Sequence, residues 1–303
     1  MKNILVDVCR PGDFFDQMAI FCALEDELKA WPGKLFIFKH SLYLHPKRFL
    51  PAVFSDDRTQ IIKERSELNG VEYIGKTEKY AFNGKPAKIK YNYAKLFAAF
   101  STRSGDRKSH VNSDTIKCVI TIECEKRRFL SQLPLLSRFS KKIQENFGKR
   151  VHFINSGMTS TFRGELVGVQ SEQYDFEDSF LRNLSKLSGA SYENLWGESM
   201  GSKLKSISAA HCAISCAGTA AVLPNLYALP CLTFGNQYIT NNVTRRGIRG
   251  ANEILIPEEM TVTLKPEANF SNNSFGKTDQ LNSYDVSDGV YEDFLERLIA
   301  AIR

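Results

Sequence analysis

Apolar runs of strand length alternate along the chain with segments whose apolar residues recur every three to four positions. The first run covers residues 4–8, and Pro11-Gly12-Asp13 then breaks it. Phe15, Met18, Ala19, Phe21, Cys22, Leu24 and Leu28 follow at helical spacing. A second strand is predicted over 35–38, weaker strands at 61–62 and 71–74, and a helix over 93–100. Residues 101–114, STRSGDRKSHVNSD, carry almost no apolar side chain and predict a linker.

Beyond that linker the alternation is more regular. Strands are predicted at 118–122, 151–154, 213–216 and 231–234, and helices at 133–147, 176–187, 203–210 and 220–228. Residues 265–287, rich in Asn, Ser and Asp, read as loop. Apolar positions 290, 294, 295, 298, 299 and 302 predict a terminal amphipathic helix over 290–302. Repeated strand–helix pairs imply an α/β fold built on parallel sheets. The 303 residues allow two such domains, an N-terminal one over 1–114 and a C-terminal one over 115–303. The terminal helix is placed either on the second domain or back against the first.

Composition narrows the function. With 43% hydrophobic and 24% charged residues the chain is globular, and no apolar run approaches the length of a membrane span. The first apolar run is too short for a secretory signal, so a cytoplasmic protein is expected. The seven cysteines form no CxxC pair and the five histidines are scattered. Reduced, buried thiols are expected and no metal site is. The net charge of +6 is concentrated locally. Residues 76–110 hold Lys76, Lys79, Lys85, Lys88, Lys90, Lys95, Arg103, Arg107 and Lys108 against Glu78 and Asp106. That excess suits an anionic partner or a solvated face.

Three constellations sit at predicted strand ends, where ligands bind in open α/β sheets. Arg10-Pro11-Gly12-Asp13 follows the first strand. Asp13 there either takes a proton from a hydroxyl or caps the following helix with Asp16 as its partner. Ser215-Cys216-Ala217-Gly218-Thr219 joins a strand to a helix whose N-terminus suits a phosphate. Lys126, Arg127 and Arg128 follow the 118–122 strand and either neutralise a diphosphate or form a solvated basic turn. No Walker A loop, GxGxxG fingerprint or GxSxG elbow is present.

Together these pieces resemble GT-B glycosyltransferases, and most of all the bacterial heptosyltransferases of glycosyltransferase family 9. The resemblance is carried by the Gly12-Asp13 turn before an apolar helix, the 151–154 strand ending in Ser156-Gly157, Leu195-Trp196-Gly197, Gly218-Thr219, and Pro230 before the strand that closes on Phe234-Gly235. It is good over 115–303 and thin over 30–114. The family's Asp-Thr-Gly phosphate turn with a following His reads Cys216-Ala217-Gly218-Thr219 here.

The resemblance implies two Rossmann-like domains facing across a cleft. It also implies metal-independent, inverting transfer of a sugar from a nucleotide-sugar to an anionic glycan or glycolipid, in cell-surface polysaccharide or lipopolysaccharide assembly. Asp13 would be the base, and Lys126, Arg127, Arg128, Ser156, Gly157, Gly218 and Thr219 would hold the donor. No cofactor is implied beyond the donor, and peripheral contact with the inner membrane surface fits such an acceptor. The residues leave three alternatives open: a nucleotide-sugar epimerase or hydrolase, a silent sugar-nucleotide sensor, and a nucleic-acid binder or modifier. For the last, Lys88, Lys90 and Lys95 would track phosphates while Tyr91, Tyr93 and Phe97 stack on bases.

Overall fold

A computed structural model describes residues 3–6, 14–38, 43–62, 71–74, 79–82, 85–88, 91–101, 114–123, 128–157, 171–264 and 283–303. The chain divides into two compact units, the first built on Met1–Arg103 and the second on most of the remainder. No described helix is long and apolar enough to cross a membrane.

The first unit runs β1 (Asn3–Val6), α1 (Phe14–Ala23), α2 (Glu25–Ala30), β2 (Leu35–Phe38), β3 (Thr59–Ile62), β4 (Val71–Ile74), β5 (Lys79–Phe82), β6 (Lys85–Lys88) and α3 (Tyr93–Ser101). Its main sheet is parallel, in the order β3-β2-β1-β4, with Ile4 opposite Leu35 and Leu5 opposite Phe36. The apolar stripe after Asp13 makes two helices rather than one, because Leu24 leaves helical geometry at φ −106° and ψ 15°. Arg58 caps the far end of α2 by donating to the carbonyls of Leu28 at 2.9 Å and Trp31 at 2.7 Å. Met18, Ala19, Phe21, Cys22 and Leu28 are fully buried. Strands β5 and β6 form an antiparallel hairpin that the apolar pattern did not predict.

The second unit runs β7 (Thr115–Ile120), α4 (Gln132–Phe147), β8 (Arg150–Asn155), α5 (Ser171–Ser188), β9 (Ser191–Asn194), α6 (Met200–Ser208), β10 (Cys212–Cys216), α7 (Thr219–Leu226), β11 (Cys231–Phe234), α8 (Gln237–Arg246), β12 (Glu253–Leu255), β13 (Thr261–Thr263), β14 (Tyr284–Val286) and α9 (Asp288–Ile302). Six of these strands make one parallel sheet in the order β12-β11-β10-β7-β8-β9. Read from β9, and numbered within the unit, that is 3-2-1-4-5-6, the doubly wound Rossmann order. Every residue of β10, Cys-Ala-Ile-Ser-Cys, is buried, as a central parallel strand covered on both faces requires.

Helix α9 lies on α4, β11 and β12 of this same unit. It buries Tyr291, Phe294, Leu295, Leu298 and Ile299. Each of the Phe, Leu and Ile side chains among these is worth about 1.5–3 kcal/mol when removed from water, before entropy is counted. Its outer edge is ionically matched to α4: Arg138 meets Asp288 at 3.0 Å and Glu292 at 3.2 Å, and Lys142 meets Glu292 at 2.7 Å and also Glu296. The end of the segment read as loop contains β14, which pairs antiparallel with β13. The described cysteines, Cys22, Cys118, Cys212, Cys216 and Cys231, are buried thiols in no disulfide, as expected.

Candidate functional site

In the second sheet the chain order reverses between β7 and β10, and side chains join the two strand ends there. Thr121, just past β7, accepts from the Cys216 N–H through Oγ1 at 3.0 Å and shares a hydrogen bond with Ser215 Oγ at 2.9 Å. Gln132, at the start of α4 and 2% exposed, holds the loop that follows. Its amide donates to the Thr121 carbonyl at 2.7 Å and accepts from the Glu123 N–H at 3.2 Å. Lys126 and Arg127 lie outside the described residues. Arg128 is described: its N–H donates to Ser283 Oγ at 3.1 Å and its carbonyl accepts from Tyr284 at 3.0 Å. Its guanidinium lies over the Phe176 ring at 5.5 Å.

From β10 the chain turns into α7 through Gly218. The Ala217 N–H first bonds the Phe234 carbonyl at 2.7 Å, and the Gly218 carbonyl accepts from Ala221 at 3.0 Å. Gly218 is the helix N-cap at φ +99° and ψ −139°, a conformation that essentially requires glycine. The Ala221 N–H is taken by that carbonyl, and the Thr219 and Ala220 N–H groups precede it at the positive end of α7. Thr219 begins the helix, although its side chain is outside what is described.

The third turn follows β8. The Ser156 N–H donates to the Ile120 carbonyl at 3.0 Å, tying this turn to the end of β7. Gly157 has φ +46°, and a Cβ there would meet Trp196 at 3.0 Å. Beneath the turn, Asn155 donates to Glu177 at 2.5 Å and to Asn194 at 3.0 Å. Lys203, fully buried, donates to the Gly157 carbonyl at 2.9 Å and to that of Ser156. Strand spacing of about 4.8 Å puts the β8 and β10 turns about 10 Å apart, with β7 between.

Arg128, Ser156, Gly157, Gly218 and Thr219 are therefore gathered at the carboxyl ends of three neighbouring strands. Sequence reasoning missed Lys203, Asn155 and Glu177. For Lys203 a signal exists: Met200, Leu204 and Ile207 are buried on α6, and position 203 falls on the same helical stripe. A lysine on an apolar stripe marks a buried charge. Burial pushes the Cys118 and Cys231 thiols well above the ordinary range, so neither serves as a nucleophile.

In the first unit Asp13 lies outside the described residues. Asp16, in the first turn of α1 and 8% exposed, accepts from the Tyr93 hydroxyl. Tyr93 and Phe97 are 3% and 8% exposed, and Lys95 is paired with Glu25 at 2.8 Å. Two of the aromatics expected to stack on nucleic-acid bases are thus core residues.

No protein-family model and no curated protein sequence matches this chain. Solved structures do resemble it. The ADP-heptose lipopolysaccharide heptosyltransferase II of E. coli is 11% identical, with a TM-score of 0.51 and coverage of 100% of this chain and 98% of that one. A glycosyl transferase family 9 protein of Veillonella parvula is 10% identical, with a TM-score of 0.53 and coverage of 99% and 97%. The E. coli heptosyltransferase WaaC with ADP is 13% identical, with a TM-score of 0.52 and coverage of 100% and 99%. The fold is the two-domain, Rossmann-like GT-B fold of these structures.

Proposed function

We propose that this chain is a glycosyltransferase that moves a sugar from a nucleotide-sugar to an anionic glycan or glycolipid, with inversion and without a divalent metal. The carrying observation is the Gly218 turn at the switch between β7 and β10, opening onto the N-terminus of α7, on a fold shared with heptosyltransferases. Backbone N–H groups and a helix dipole converge there as a diphosphate needs. One of those neighbours was solved with ADP. The excess of cations over 76–110 supports an anionic acceptor and peripheral membrane contact.

In this reading the donor diphosphate lies against the Gly218-Thr219 and Ser156-Gly157 turns, with Lys126, Arg127 and Arg128 alongside. Asp13 accepts the acceptor hydroxyl's proton as that oxygen attacks the anomeric carbon. The bond from that carbon to the diphosphate breaks on the opposite face, which inverts the centre. The cations and the helix N-terminus stabilise the charge gathering on the departing nucleoside diphosphate.

Turnover with Asp13→Asn tests the base. Asn caps a helix about as well as Asp, so stability should stay within about 1 kcal/mol while turnover falls about 10²–10⁴-fold. Near-normal turnover would leave Asp13 as a cap. Activity that EDTA removes and Mg²⁺ restores would overturn the metal-free mechanism.

A further inference from the structure

Lys203 is 0% exposed. An ammonium group taken out of water is costly unless it is hydrogen-bonded, and here its acceptors include two successive main-chain carbonyls, those of Ser156 and Gly157. A planar trans peptide holds its C=O and N–H in opposite directions, and the described chain contains no cis bond. Drawing the Ser156 carbonyl inward onto Lys203 therefore turns the Gly157 N–H away from the interior, at the carboxyl end of β8. Gly157 can follow because it adopts φ +46°, and Trp196 packed at 3.0 Å from its missing Cβ leaves no room for a larger residue. The same turn is tied to β7 through the Ser156 N–H and Ile120 carbonyl at 3.0 Å, one strand from the Gly218 turn.

We propose that Lys203 is a positioning residue of the donor site. Its ammonium fixes the Ser156–Gly157 turn with an N–H facing the donor phosphates and places a positive charge beneath them. The inference rests on the donor-site reading above and goes beyond it, since Lys203 acts through main-chain groups. At about 10 Å and an effective dielectric near 20, one unit charge changes the affinity of an anion roughly tenfold. A lysine serving only to fill out the fold would instead affect stability alone.

The test is calorimetric binding of ADP, UDP, GDP and CDP, each beside its parent nucleoside, to the wild type and to Lys203→Met, which keeps the stem and removes the charge. The expected result is a roughly tenfold or greater loss of affinity for the diphosphate, with nucleoside affinity held within about twofold. With donor saturating, turnover should fall as well, because the lost ammonium lies beneath a diphosphate that gathers charge as it departs. Diphosphate and nucleoside affinities that are both unchanged, or that fall together, in a folded variant would overturn the role of Lys203 alone. A wild type that binds none of the four diphosphates would overturn the donor-site reading and this inference with it. Should Lys203→Met fail to fold, Gly157→Ala decides. It strains the turn from the other side, and the same phosphate-selective loss is expected. Unchanged diphosphate affinity there would show that the turn holds no phosphate.

Discussion

The two ends of the second sheet use polar residues in opposite ways. Toward the amino end, Glu253 opens β12 and is 8% exposed. One carboxylate oxygen accepts from Thr233 at 2.8 Å, and the other from Asn225 at 2.8 Å and the Gly250 N–H at 2.9 Å. A Cβ on Gly250 would lie 2.3 Å from Asn225 Oδ1, so this cluster closes on itself. At the carboxyl end, glycines at positive φ shape the turns after β8 and β10, and the buried Lys203 is spent on main-chain carbonyls. The amino end joins its strands through side chains. The carboxyl end ties β7 to β10 through Thr121 and Ser215 as well, but it also arranges backbone, and backbone N–H groups are what an anion needs.

That contrast can be broken by substitution. Gly218→Val carries the largest expected effect: a β-branched residue cannot hold φ +99°, so the turn must move. Nucleoside diphosphate affinity should fall about a hundredfold or more in calorimetry, because several N–H contacts are lost together. Glu253→Ala should do the reverse. Leaving Thr233, Asn225 and the Gly250 N–H without their acceptor costs about 3 kcal/mol in denaturant unfolding, with diphosphate affinity unchanged. A binding loss there would erase the distinction between the ends.

Thr121→Val removes the acceptor of the Cys216 N–H while keeping the volume. A stability loss of about 1–2 kcal/mol is expected, with a several-fold loss of diphosphate affinity that a switch-point role requires. The smallest effect concerns His152, which shares a 2.8 Å hydrogen bond with Ser191. Burial holds its imidazole below the ordinary 6.5, against the opposing pull of Glu193. The folded state thus resists protonation, so stability is full above pH 6.5 and declines as pH falls through that value toward the folded pKa. His45 is shifted the same way, also by burial. The melting temperature should drop between pH 7 and 5.5, and His152→Gln should flatten part of that drop.

What the apolar pattern made legible is the set of buried strands and the helices with wide apolar stripes. β2 and β11 were read at their observed bounds because they are continuous runs, Leu-Phe-Ile-Phe and Cys-Leu-Thr-Phe. β9, Ser-Tyr-Glu-Asn, was missed because an edge strand needs no apolar alternation. α8 was missed because QYITNNVTRR buries little beyond Ile239 and Val243, although Asn236 caps it by accepting from the Ile239 N–H at 3.0 Å. That Asn was the available signal. Of the site, the glycines were legible, since positive φ selects for them. The burial of Lys203 was signalled by its helical stripe, but its partners and those of Glu177 were not, because they are carbonyls and amides that only the assembled sheet brings within reach.

The seat of α9 has a consequence for the order in which this unit can be made. The strands that α9 covers are synthesised before it, and the acidic side chains that answer Arg138 and Lys142 lie about 150 residues downstream of them. Until α9 is in place, the face of β11 and β12 that it packs on lies open, although α7 also packs on β11. Contacts this distant in sequence are slow to form and leave sticky surface exposed meanwhile. A second unit lacking residues 288–303 should therefore leave the surface that α9 covers open and aggregate more readily than the intact unit, as light scattering on the truncated chain would read.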